Sequence, residues 1–316
     1  MSFAAAVKND LVRVQASRRC CRLAEFAAFL RTSGCIHIED RQVSLSLTSE
    51  HPGAARRVFS LGKELFDLDM QILVHRKARL QKNQVFDIRI PPQAGVGQLL
   101  RLLGLHGLER SEDFLFPGEL GQDLLENACC RRAYLRGAFL AAGSINNPAG
   151  DYHLEFSAND RRQARLLHGL LADYEIKSRI TQRKQAYVVY LKGSEAIADT
   201  LNVMGSHRSL LEFENTRIVK DMRNRINRQI NCENANLNKT VSASMRQIAD
   251  IKLIEERLGL DKLPDGLRQA AQARLSNPDS SLAELAELLR LGRSGMNHRL
   301  RRLGEIASEL REKKNG

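Results

Sequence analysis

No stretch of this 316-residue sequence approaches the roughly 18 to 20 consecutive apolar residues of a membrane-spanning helix. Its start, Met1-Ser-Phe-Ala-Ala-Ala-Val-Lys8, has no basic segment followed by a long apolar one, so neither a membrane partner nor a secretory leader is expected. Cysteine is sparse: Cys20-Cys21, Cys35, Cys129-Cys130 and Cys232 form no Cys-x-x-Cys pair, and no clustered histidines complete a tetrahedral zinc site. Buried thiols in a reducing, cytoplasmic compartment are expected, with no metal and no cofactor. Carboxylates are outnumbered, 37 against 49 lysines and arginines, and the net charge of +12 favours polyanionic partners. With 43% apolar and 27% charged residues, the chain is globular, with one large core or two to three ordinary ones.

The first two thirds contain an internal repeat. Residues 20–36 and 129–145 align without a gap at an offset of 109, with Cys20, Cys21, Arg22, Ala24, Gly34 and Ile36 recurring as Cys129, Cys130, Arg131, Ala133, Gly143 and Ile145. The same offset carries Leu45 and Leu47 onto Leu154 and Phe156. After a loss of eight residues, an offset of 101 pairs Ile88 with Val189 and Ile90 with Leu191. Each copy reads as a helix ending at a glycine, a helix C′ residue, then one or two strands, a helix, two more strands and a short closing helix. Val43, Leu45 and Leu47 alternate as a strand does, as do Tyr152, Leu154 and Phe156. The helices between carry Ala55, Val58, Leu61 and Leu65, and Ala164, Leu167, Leu170, Leu171 and Tyr174, at helical spacing. The expected fold class is α+β: a pseudo-symmetric duplicated domain, with residues 105–127, including Phe116-Pro117-Gly118, bridging the copies.

Within copy two, Leu135-Arg-Gly-Ala-Phe-Leu-Ala-Ala-Gly143-Ser144 is similar to the signature helix of the LAGLIDADG homing endonucleases. The resemblance implies two such helices packed through small residues, here Ala28 and Gly137, at a pseudo-two-fold axis, with the strands forming a saddle for DNA. The catalytic version needs a carboxylate just before each terminal glycine to hold divalent metal. Those positions are Ser33 and Ala142, so the resemblance implies lost nuclease chemistry. Asp151, Glu155, Glu39 and Asp40 lie downstream as the carboxylates that a relocated metal site would use. Basic residues of the hairpin strands, Arg76, Lys77, Arg79 and Lys82 in copy one and Arg179, Arg183 and Lys184 in copy two, are candidate phosphate contacts. A solvated strand face explains them equally well.

Residues 207–316 hold 21 basic and 15 acidic groups, half of the excess positive charge, and read as all-helical. Glu214 to Ile230 is an amphipathic connector with Ile218, Met222 and Ile226 beside Arg223, Arg225 and Arg228. Asn231-Cys-Glu-Asn-Ala-Asn-Leu-Asn-Lys-Thr240 is predicted to interrupt it as a hinge, because asparagine competes for backbone hydrogen bonds. Val241 to Leu258 then forms one helix, Pro264 opens a second, and Asn277-Pro278-Asp279 breaks the chain. Ser281 and Glu284 have capping-box spacing, and Leu282, Leu285, Ala286 and Leu289 form a buried stripe. After the turn Arg290-Leu-Gly-Arg293, a last helix carries Met296, Leu300 and Leu303 inward. Ser294, Asn297, His298, Arg299, Arg301 and Arg302 face outward, with Arg293 at its start. This is a helix-turn-helix pattern: arginine and asparagine suit base edges in the major groove, and Arg293 suits phosphate.

The combination resembles the WhiA family of bacterial regulators. It is carried by Arg217-Ile-Val-Lys-Asp-Met-Arg-Asn224, by the asparagine run 231–240, by Asp250-Ile-Lys-Leu-Ile-Glu255 and by Gly295-Met-Asn-His-Arg-Leu-Arg-Arg-Leu303. Arg290-Leu-Gly-Arg293 departs from the family's more usual Val-Ser-Lys-type turn, though Gly292 is an acceptable N-cap. The resemblance implies a cytoplasmic, nucleoid-associated protein that binds double-stranded DNA. Its implied roles are transcription regulation, cell division, chromosome segregation and, in some lineages, sporulation. Transcription machinery or another regulator is a candidate partner, and the internal repeat makes a monomer self-sufficient. The expected divisions are 1–127 and 128–206 for the two repeats, 207–239 for connector and hinge, and 240–316 for the helix-turn-helix domain. Two alternatives remain open: a metal-dependent nuclease using relocated carboxylates, and an interaction or ligand-sensing platform with DNA contact confined to the terminal module.

Overall fold

The structure, a computed structural model, describes residues 2–40, 42–76, 84–102, 122–184 and 186–312. Residues 105–121 of the bridge, including Phe116-Pro117-Gly118, lie outside them, as do Lys77, Arg79 and Lys82. Two compact units, Met1–Asp221 and Met222–Gly316, divide the chain.

The first unit opens with α1 (Phe3–Leu11), a helix not expected from the sequence. Ser2 caps it by accepting the Ala5 amide, and Phe3, Val7 and Leu11 are buried at i, i+4 and i+8. Copy one follows as α2 (Arg19–Ser33), β1 (Gly34–Glu39), β2 (Gln42–Ser49), α3 (Pro52–Phe66), β3 (Gln71–Arg76), β4 (Gln84–Ile90) and α4 (Ala94–Leu102). Copy two repeats the order as α5 (Ala128–Ala142), β5 (Gly143–Ile145), β6 (Leu154–Ala158), α6 (Arg161–Ala172), β7 (Arg179–Arg183), β8 (Ala186–Leu191) and α7 (Ser194–Met204). Each copy forms a four-stranded antiparallel sheet, in order β1-β2-β4-β3 and β5-β6-β8-β7.

Register follows the sequence offsets. Gly34 faces Leu47 and Ile36 faces Leu45, as Gly143 faces Phe156 and Ile145 faces Leu154. Likewise Leu47 faces Ile88 and Phe156 faces Val189. A one-residue slip would turn each apolar set outward, so burial of one face pins the register. Ala55, Val58, Leu61 and Leu65 of α3 and Ala164, Leu167, Leu170 and Leu171 of α6 are buried, while Tyr174 falls just beyond α6.

The helices α2 and α5 pack on each other at the centre, with Ala24, Ala27, Ala28, Ala133 and Ala138 buried. A Cβ on Gly137 would stand 2.4 Å from the carbonyl oxygen of Glu25 and 2.9 Å from the Ala28 Cβ, so glycine permits this approach. Gly34 and Gly143 are not left-handed helix ends: both are extended, and the chain passes directly from helix into strand. At Gly143 a Cβ would instead strike the Phe139 ring, 2.3 Å from Cδ2. Across the helix pair, the fully buried Glu25 accepts two hydrogen bonds from Arg57 (2.8 and 3.2 Å) and two from Arg136 (3.1 and 2.9 Å). Its counterpart in copy two is Tyr134, also fully buried, whose hydroxyl has no partner among the described residues.

The helix α8 (His207–Arg257) begins in the first unit and ends in the second. The predicted hinge is absent: residues 231–240 are helical. Each asparagine costs less than about 1 kcal/mol relative to alanine, and extending a helix already formed on both sides is far easier than nucleating one. Polar side chains bond along the helix, Thr240 Oγ1 to the Asn236 carbonyl at 3.0 Å and Gln229 Nε2 to Glu233 Oε1 at 3.0 Å. The second unit continues with α9 (Asp265–Ser276), α10 (Leu282–Leu288) and α11 (Arg293–Glu312). Its own core contains Ile251, Ile254, Leu263, Ala270, Leu285, Ala286, Met296, Leu300, Leu303 and Ala307. No helix of the described residues is long and apolar enough to cross a membrane.

Candidate nucleic-acid interface

The expected capping box forms at the start of α10: Ser281 Oγ accepts the Glu284 amide at 3.3 Å, and the Glu284 carboxylate accepts the Ser281 amide at 2.7 Å. These bonds hold the Glu284 carboxyl below the usual carboxylate range. Buried Arg274 donates to the Ser280 carbonyl at 2.6 Å and so fixes the loop entering α10. The turn closes through Arg290, left-handed at φ 52°, and through the Leu291 amide, which donates to the Ala286 carbonyl at 2.7 Å. Met296, Leu300 and Leu303 then seat α11 on the core.

This seating leaves Ser294, Asn297, His298, Arg301 and Arg302 exposed at i, i+3, i+4, i+7 and i+8, one stripe of the helix, with Arg293 exposed at its start. Arg299 is not part of it. Its guanidinium turns to α9 and donates to the Gly266 carbonyl at 3.1 Å, so this residue ties the helices together. Arg301 and Arg302 both contact Glu305, at 3.4 and 2.8 Å, an exposed pairing of little strength.

In the first unit, the C-terminal ends of α2 and α5 meet beneath a cleft of about 900 Å³, lined from the open faces of both sheets by Ser46, Thr48, Ser144 and Ser157. Ser33 and Ala142 lie in its wall, and Ser33 Oγ donates to the Phe29 carbonyl of its own helix at 3.1 Å. Among the described residues Glu50 is the carboxylate lining this cleft, and α1 brings in Lys8, a cation missed from the sequence. Burial pulls Lys8 down to about 8, against the attraction of Glu50.

The basic strand residues diverge. Arg76 ends β3, and Arg179 and Lys184 are exposed at β7 and its following turn. Arg183 is engaged: it donates to Glu155 at 3.0 Å, and His153 holds the same oxygen at 2.9 Å. That ion pair occupies the carboxylate on which a relocated metal site would draw. Glu155, Asp87 and Arg89 give the open sheet faces mixed charge.

A further cluster, missed because its members are far apart in sequence, lies where α2 and α5 begin. The Sγ atoms of Cys20, Cys21, Cys129 and Cys130 all lie within 4.8 Å of one another. The signal was present in the repeat, since two packed pseudo-symmetric helices bring equivalent positions of their first turns together.

A duplicated α+β domain with paired small-residue helices, followed by a helix-turn-helix unit, defines a protein of the LAGLIDADG-like class carrying a terminal helix-turn-helix domain. Three family models match in order: the WhiA N-terminal LAGLIDADG-like domain over residues 19–106, the WhiA LAGLIDADG-like domain over 131–223 and the WhiA C-terminal HTH domain over 226–307. A protein of Desulforamulus reducens is 46% identical over 99% of this chain and 98% of its own length. One of Bacillus subtilis is 42% identical over 98% of each, and both carry the name "Probable cell division protein WhiA". The crystal structure of full-length WhiA from Thermatoga maritima is similar at 25% identity with a TM-score of 0.59, covering 98% of this chain and 99% of that one. The chain belongs to the WhiA family.

Proposed function

We propose that this protein is a regulator that binds double-stranded DNA in a sequence-dependent manner through α11, and that its LAGLIDADG-like domain contributes shape and phosphate contacts without cutting DNA. The reading places it in the cytoplasm at the nucleoid, acting on promoters or with transcription machinery, in processes linked to cell division and chromosome segregation. The repeats 1–127 and 128–206, the connector 207–239 and the terminal domain 240–316 are its proposed divisions, the connector being continuous helix.

The observation that carries the reading is the exposed stripe Ser294, Asn297, His298, Arg301 and Arg302 on the second helix of a capped helix-turn-helix. Asparagine and arginine there match the paired donors and acceptors of adenine and guanine edges, and Arg293 stands where phosphate approaches a helix start. Loss of catalysis is supported by Ser33 and Ala142, which offer no carboxylate, and by the ion pairing of Glu155.

Substitution separates the two contact types. Asn297→Ala or Arg302→Ala is expected to cost about 1 to 3 kcal/mol on the preferred sequence and to relax discrimination at one base pair. Arg179→Gln or Lys184→Gln is expected to weaken all duplexes alike and to lower the salt slope by about one. Uniform loss on every sequence from both sets contradicts the assignment, and magnesium-dependent nicking removed by Glu155→Gln contradicts the loss of catalysis.

A further inference from the structure

We propose that Cys20, Cys21, Cys129 and Cys130 form a four-thiolate site for a soft divalent metal ion of the zinc class, clamping the first turns of α2 and α5 across the pseudo-two-fold axis. The distances fit one ion. Four sulfurs at about 2.3 Å from a tetrahedral centre stand roughly 3.8 Å apart, so sulfurs already within 4.8 Å of one another need to contract by about 1 Å at most.

The donor set selects the metal. Thiolates prefer zinc and its soft relatives over magnesium or calcium, and four protein ligands leave no open position, the pattern of a structural site. Access is available, since Cys20 and Cys129 are half-buried while Cys21 and Cys130 are buried beneath them.

Charge is also provided for. Each cysteine pair sits in the first turn of a 15-residue helix, where unpaired amides favour anions. The Arg18 guanidinium lies beside Cys129 and adds positive charge to the cluster. The thiol protons pass to solvent as the metal binds. Because the two pairs come from different repeats, the ion would join halves that are 109 residues apart in sequence.

The test uses the full chain, prepared without oxygen, stripped with a chelator and titrated with cobalt(II). The expected result is one cobalt per chain, with the strong visible absorption of tetrahedral cobalt-thiolate, bleached by one equivalent of zinc. Zinc should shield the half-buried Cys20 and Cys129 from a thiol reagent, and chelator should expose them again. Cys20→Ser and Cys129→Ser, at the half-buried positions, should weaken cobalt binding about tenfold or more, whereas Cys232→Ser should leave it unchanged. Should either cluster variant fail to fold by circular dichroism, the stoichiometry and thiol shielding of the unmodified chain decide. Absence of the tetrahedral spectrum, no zinc protection of Cys20 and Cys129, or metal-free disulfides between the helices in the reduced preparation overturns the proposal.

Discussion

Replacing Gly137 by alanine adds one methyl group at the closest approach of α2 and α5. The new Cβ would lie 2.4 Å from the Glu25 carbonyl oxygen and 2.9 Å from the Ala28 Cβ. Carbon and carbonyl oxygen ordinarily approach to roughly 3.3 Å, so the helices must part by about 1 Å. Neither contact can be relieved by a rotamer, because one atom is backbone and the other a Cβ. A gap of that size forfeits about a quarter to a half of the dispersion energy of the atoms facing it, along a seam that includes the fully buried Ala24 and Ala28. Alanine gains about 1 kcal/mol in helix propensity over glycine, against an overpacking cost of about 3 kcal/mol, the upper end of the usual range because neither contact can rotate away. The net expectation is a loss of about 2 kcal/mol, or a Tm lower by about 4–8 °C for a unit of this size. Thermal unfolding followed by circular dichroism measures it. Gly169→Ala in α6 is the comparison: nothing lies within 4 Å of its added Cβ, so it should be neutral or slightly stabilising. A Gly137→Ala protein as stable as the Gly169→Ala protein would refute the close-packed seam.

Glu25→Ala removes the common acceptor of Arg57 and Arg136, leaving buried guanidinium charge unpaired, and should cost about 3 to 5 kcal/mol by denaturant unfolding; a loss below about 1 kcal/mol contradicts a buried charge network. Lys8 is expected to titrate lower in the folded than in the unfolded chain, so its desolvation penalty is full below pH 8, shrinks as pH rises toward 10.5 and then disappears. Lys8→Met should therefore stabilise the protein by about 1 to 3 kcal/mol at pH 7 and by little at pH 10.5, and a gain that does not change with pH would contradict burial of the charge. Ser281→Ala deletes the α10 cap and should lower the stability of the second unit by about 1 kcal/mol, read from its unfolding transition; an unchanged transition would show the capping box to be energetically idle.

The duplicated architecture was legible because strand pairing repeats with side-chain period. Once Leu45 and Leu47 map onto Leu154 and Phe156, the partners Ile36 and Ile145 follow. The helix α1 was also written in the sequence, as Phe3, Val7 and Leu11, but three apolar residues in an alanine-rich start give little contrast. The hinge at residues 231–240 failed because a local preference of asparagine was set against the cooperativity of a 51-residue helix. Most of the α11 stripe was legible from its spacing. Arg299 was not, since only the position of α9 reveals the Gly266 carbonyl that receives it. The cysteine cluster required combining two signals, the repeat and helix packing, that spacing rules for metal ligands treat separately.

Selection of the full chain against a random duplex pool in magnesium, followed by sequencing of the retained DNA, tests the central claim most directly. The account predicts enrichment of a defined motif in uncut DNA, lost with Asn297→Ala. Retention of all sequences equally, or recovery of cleaved duplexes, would contradict it.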